Sequence, residues 1–124
     1  MNQRSQTGQD GAENQPRGAV NRDDARWRAV REAVRLVRDV AGAGVRCYVF
    51  GSLARGEAGP ASDIDLALEA DGPLPRRVLA EIRERLEESH IPYVFDVVDL
   101  RAVDGSFANR IRQEAVLWTE SGKP

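Results

Sequence analysis

Apolar residues recur at three- and four-residue steps from Trp27 through Val30, Val34 and Val37 to Ala41, which puts them on one stripe of a helix. That predicts a helix within residues 23–44, with Asp23 or Asp24 to cap its start and Gly42 or Gly44 to stop it. Arg28, Arg31, Arg35 and Arg38 line much of the remainder. Such a row reads as a solvated face, with an acidic partner as its other use. The period then changes. "VRCYVF" (45–50) is β-branched and aromatic between glycines, as a buried strand is. After Gly51–Ser52, "LARGE" suits one helical turn, and "GEAGPAS" with its Gly59–Pro60 step is loop. "DIDLALEA" (63–70) alternates as a second strand until Asp71, Gly72, Pro73 and Pro75 break it. "RRVLAEIRERLEES" follows as an amphipathic helix with Leu79, Ile82 and Leu86 inward. "YVFDVVDL" (93–100) is the third strand, and Val103, Phe107 and Ile111 mark a last helix running into "AVLWTE".

This order of elements predicts an α/β (α+β) fold, a small sheet flanked by helices. The short link from the first strand to the second admits an antiparallel pairing as well as a parallel crossover, so a mixed sheet is expected. Residues 1–22 hold almost nothing to bury and read as a disordered leader, leaving 23–120 as one domain.

Composition removes several classes of function. With 124 residues the chain suits one compact domain, and a net charge of −2 supplies no global field to recruit nucleic acid, so no direct nucleic-acid binding is expected. Lys123 is the only lysine, which leaves neither a Schiff-base lysine nor a G-x-x-x-x-G-K-[ST] phosphate loop. A single cysteine, Cys47, excludes an internal disulfide and sits in an apolar run as a small hydrophobe. The lone histidine, His90, falls at an expected turn and suits a capping or surface role. No apolar run approaches spanning length and no hydrophobic signal core is present, so no membrane contact is expected and the cytoplasm is the default location.

One stretch does not fit the needs of folding alone: "FGSLARGEAGPASDIDLALE", Phe50 to Glu69. Asp63 and Asp65 are two apart on a strand, so they share a face with Cα atoms roughly 6–7 Å apart, while Ile64, Leu66 and Leu68 turn to the core. Two bare carboxylates at that distance repel and raise each other's pKa; a divalent cation reverses the repulsion, and Mg²⁺ or Mn²⁺ suits oxygen ligands. One strand cannot surround a metal, and Asp96, in mid-strand between apolar neighbours, is the candidate third ligand. Asp99 falls on the opposite face near the strand end, as a cap or turn residue. Gly51 lets a phosphate approach the backbone, Ser52 can cap the following turn and offer its hydroxyl to an anion, and Arg55 is placed to neutralise a triphosphate tail.

These residues resemble a known signature. "GSLARGEAGPASDID" is similar to the G-S, ten residues, D-x-D motif of the DNA polymerase β-type nucleotidyltransferase superfamily, and "FDVVDL" resembles its third-carboxylate strand. The short chain is similar to the minimal nucleotidyltransferase (MNT) subgroup, whose members are often antitoxins paired with HEPN-domain toxins. The resemblance implies the nucleotidyltransferase fold and transfer of AMP from ATP. Asp63, Asp65 and Asp96 would be catalytic and hold two Mg²⁺ ions (Mn²⁺ as the alternative), and Gly51, Ser52, Arg55 and Ser62 would bind the nucleotide and its phosphates. It also implies a HEPN toxin as partner, with a tyrosine hydroxyl as acceptor, and a homo- or hetero-oligomer that completes the site. Leu53 stands where many relatives carry a polar or basic residue. Two other readings compete: a non-catalytic antitoxin or adaptor that occludes its partner, and a small-molecule, aminoglycoside-type transferase. The intact acidic trio favours the enzyme, and the small-molecule enzymes usually close the cleft with a second domain. The Trp27 stripe and the Phe107/Trp118 region read as core packing, with a partner-contact surface as their other use.

Overall fold

A computed structural model describes residues 25–59 and 61–118. The leader expected over 1–22 and the cap expected at Asp23 or Asp24 lie outside the described residues. Helix α1 (Ala25–Ala41) ends where Gly42 takes φ +100° and its N–H donates to the Arg38 carbonyl at 2.9 Å, a left-handed stop that glycine adopts without penalty. Strand β1 (Arg46–Phe50) leads into a single turn, α2 (Gly51–Ala54). Strand β2 (Ile64–Glu69), helix α3 (Arg76–Glu88), strand β3 (Phe95–Asp99) and helix α4 (Gly105–Glu114) follow. The chain then forms a two-residue strand, β4 (Val116–Leu117).

That strand corrects the expectation of a last helix running into "AVLWTE". Helix α4 stops at Glu114, Ala115 turns extended, and Val116 and Leu117 pair antiparallel with Val49 and Tyr48 of β1. The sheet order is β3-β2-β1-β4, with β1–β2 antiparallel and β2–β3 parallel, so the sheet is mixed as expected.

Strand alternation splits the sheet into two faces. Cys47, Val49, Ile64, Leu66, Leu68 and Val97 face α1 and α3 and form the main core with Val30, Val34, Val37, Ile82 and Leu86. Each fully buried branched side chain there contributes about 1.5–3 kcal/mol of transfer free energy. Cys47 is a packing residue, and burial pushes its thiol up to about 11. Trp27 and Trp118 are also core: their rings stack at 6.4 Å and join α1 to the chain just beyond β4. On the other face α4 lays Ala108 and Ile111 over Phe50 and Ala67, and Phe107 meets Phe50 edge-on at 6.4 Å. His90 is exposed in the link between α3 and β3. Among the described residues no helix is long and apolar enough to cross a membrane.

Candidate active site

The candidate residues gather at one end of the face that carries α4, where β1 finishes and both β2 and β3 begin. Register makes the arrangement: Phe50 lies opposite Asp65, and Asp65 lies beside Asp96 on the parallel neighbour. Asp63, one residue ahead of β2, is exposed, and Asp65 is half-buried. Asp96 departs from the expectation of an aspartate enclosed in mid-strand. It is the second residue of an edge strand and is exposed. The buried aspartate of that strand is Asp99, 3% exposed on the other face, where it accepts from the backbone N–H groups of Leu74 and Arg101 at 2.8 and 2.9 Å. That is the cap and turn role read from its position.

Gly51 has to be glycine for two reasons. Its φ is +73°, and a Cβ on it would stand 2.0 Å from Asp65 Oδ2. Backbone and acid are thus in direct apposition, a closeness no side chain permits. The carboxyl of Asp65 is raised above its ordinary value by burial first, then by repulsion from Asp96 and Asp63, with Arg55 opposing and Glu114 adding to the rise. Among the described residues no three acidic, histidine or cysteine side chains are already drawn into a metal-holding cage. The donor chemistry nevertheless suits a hard divalent cation: oxygen ligands only, from adjacent strands, under mutual repulsion that a positive ion relieves.

Ser52 does not cap α2. Phe50 is the N-cap residue and no side-chain hydrogen bond closes that end, because the turn begins two residues earlier than "LARGE" suggests. Ser52 is half-buried, and its carbonyl accepts from the Glu57 N–H at 2.8 Å. Ser62 closes the loop ahead of β2, its hydroxyl oxygen accepting from the Gly59 N–H at 2.9 Å. Arg55 faces the site but is engaged: its Nε donates to Glu57 at 2.9 Å and its Nη1 to Glu114 Oε1 at 3.1 Å. These two hydrogen bonds hold the guanidinium above its ordinary pKa.

Two residues escaped the reading of the sequence. Glu114, at the end of α4, accepts from the Gly51 N–H through Oε2 at 2.8 Å while holding Arg55 through Oε1. Once α4 is seen to stop there, it stands as an acid in the last turn of a helix, where the carbonyl end disfavours negative charge. Glu69 is 7% exposed at the far end of β2, ringed by Arg46, Arg101 and Arg112, with the Tyr48 hydroxyl donating to it at 3.3 Å. Alternation along β2 already put it on the same face as Asp65.

This chain belongs to the polymerase β-type nucleotidyltransferase family, whose profile (Polymerase beta, Nucleotidyltransferase) matches residues 45–122. It is an enzyme family, and the fold and the motif agree with membership. Among individual relatives, the "Probable protein adenylyltransferase MntA" of Haemophilus influenzae is 32% identical over 76 residues, covering 61% of this chain and 67% of the relative. A crystal structure of a toxin–antitoxin with AMP-PNP superposes with a TM-score of 0.62 at 26% identity, over 73% of this chain and 74% of that one. A tri-AMPylated Shewanella oneidensis HEPN toxin in complex with MNT antitoxin gives a TM-score of 0.54 at 22% identity, over 72% and 67%, a likeness of fold alone.

Proposed function

We propose that this protein is an antitoxin that transfers AMP from ATP to a hydroxyl of a HEPN toxin, with a tyrosine as the acceptor. The observation that carries the site is the packing of Gly51 against Asp65, itself in register with Asp96; the observation that carries the chemistry is the likeness to a protein adenylyltransferase.

In this reading Asp63, Asp65 and Asp96 would hold magnesium, and the metal, when bound, would offset charge growing on the α-phosphate and on the departing pyrophosphate. The chain's own groups do the rest. The Gly51 N–H, Ser52 and Arg55 bind the phosphate tail, and Ser62 keeps the loop ahead of Asp63 in its turn. Asp96, exposed at the open edge of the sheet, accepts the proton of the incoming hydroxyl. The acceptor oxygen then bonds to the α-phosphorus as the bond to the β-phosphate oxygen breaks. Exposure of Asp96 favours a macromolecular acceptor, since a large partner reaches an open edge that a small substrate would leave wet. The cytoplasm, where ATP and magnesium are abundant, is the compartment this activity needs.

Incubation with labelled ATP, Mg²⁺ and the product of the adjacent gene tests the reading. Label should appear on the partner and vanish with Asp63→Asn. Neutralisation that survives both Asp63→Asn and Asp65→Asn, without label transfer, would show that occlusion of the partner suffices.

A further inference from the structure

The carboxylate of Glu114 occupies the place that the proposed function gives to a phosphate. One oxygen takes the Gly51 N–H at 2.8 Å and the other takes Arg55 Nη1 at 3.1 Å. Those are two of the donors a triphosphate tail would need, and one planar anion already satisfies both. Glu114 holds this position against two unfavourable fields. It ends α4, where the helix dipole repels negative charge, and it adds to the repulsion on Asp65. The side chain is not locked in, being 30% exposed. A cavity of about 270 Å³ lies beside it, lined by Phe50, Gly51, Arg55, Phe107 and Arg110 among others. Arg110 stands one helical turn before Glu114 on α4, with its guanidinium 5.7 Å over the Phe107 ring.

We propose that Glu114 is a resident stand-in for phosphate, exchanged for a phosphate group of the incoming nucleotide. This rests on the phosphate-binding role given above to Gly51 and Arg55. A phosphate brings more acceptor oxygens and more charge than a carboxylate, so the exchange favours the ligand. Arg55 keeps Glu57 and turns its second donor to the phosphate. Glu114 swings towards the cavity and pairs with Arg110, an (i, i+4) contact that a helix surface supports. In the free protein the same carboxylate keeps the Gly51 N–H from facing its neighbours unsatisfied and excludes weakly bound anions.

Calorimetric titration of Mg·ATP and of inorganic pyrophosphate into the full chain, without partner, decides the matter. Glu114→Gln and Glu114→Ala should bind both probes roughly tenfold more tightly than wild type, the size of one charge-assisted hydrogen bond no longer broken. Arg110→Ala should weaken Mg·ATP about twofold in wild type and have no effect in the Glu114→Gln background. Equal or weaker binding by Glu114 variants that melt like wild type overturns the exchange and makes Glu114 a fixed strut, while leaving the nucleotide site standing. Should both variants melt far below wild type, Arg110→Ala alone decides, and unchanged binding there overturns it. Absence of Mg·ATP binding in wild type and every variant removes the nucleotide reading and the exchange together.

Discussion

Asp65 and Glu69 sit on the same face of β2, four residues apart, and both are at least half withdrawn from water. Around Glu69 burial works to raise the carboxyl, but Arg112, Arg46 and Arg101 outweigh it and hold the group below its ordinary value. Around Asp65 burial is reinforced by Asp96 and Asp63, and Arg55 does not compensate because Glu57 and Glu114 already engage it. One end of the strand carries an acid whose charge the protein has neutralised. The other carries an acid whose charge the surrounding side chains leave uncompensated. The contrast separates a carboxylate balanced within the fold from one left unbalanced, proposed above as a metal ligand, more sharply than burial does, since Glu69 is the more buried of the two.

The comparison is broken most directly at Asp65. Asp65→Asn should lower AMP transfer roughly a thousandfold or more, measured as initial rates of label incorporation, because a charged oxygen aimed at the reaction centre is lost. The metal-free protein should become more stable at neutral pH by about 0.5–1 kcal/mol, the cost of like charges side by side on neighbouring strands, read by urea denaturation. A destabilised Asp65→Asn would mean that its charge is already balanced within the fold.

Glu69→Gln should show the reverse. It leaves three half-exposed arginines around a neutral group, and stability should fall by about 2 kcal/mol, below the value for a fully buried pair because these guanidiniums reach solvent. Transfer per folded molecule should be little changed. A loss of activity comparable to that of Asp65→Asn would place Glu69 in the chemistry.

The smallest effect is in the pH dependence, and its two halves have opposite signs. Asp65 has a folded pKa above the unfolded reference of 3.8, so its penalty is absent below that value and grows as pH rises through the folded pKa. Glu69 has a folded pKa below the reference of 4.5, so its contribution is complete above that value and is lost as pH falls through the folded pKa. On acidification from neutrality, the stability excess of Asp65→Asn over wild type and the deficit of Glu69→Gln should therefore both shrink, closing with opposite signs. Denaturation curves of the three proteins across pH 3–7, roughly the range in which carboxylates titrate, would show both closures, and a difference that stays constant over that range would mean an equal pKa in the folded and unfolded states.

Much of this arrangement is written locally in the chain. Alternation in "DIDLALE" sends Ile64, Leu66 and Leu68 to a fully buried face and Asp65 to the other, and the glycine after Phe50 is the one residue its backbone angle and Asp65 tolerate. What could not be read depends on partners distant in sequence. Glu114 meets Gly51 across 63 positions, and no local pattern specifies that meeting. "AVLWTE" follows a helical spacing well enough, yet pairing with the open edge of β1 draws Val116 and Leu117 out of the helix. Asp96 is exposed for a related reason. Apolar neighbours along the chain suggest enclosure, but a strand at the sheet edge leaves its first residues uncovered.

The stacked indoles of Trp27 and Trp118 are the only tryptophans in the chain. Their joint emission and coupled ultraviolet dichroism therefore report on a single event, the parting of the first helix from the segment after the last strand. Trp118 follows Glu114 by four residues, so backbone displacement at the end of α4 bears on the same pair of chromophores. The fold carries its own optical gauge, and no added label is needed to read it.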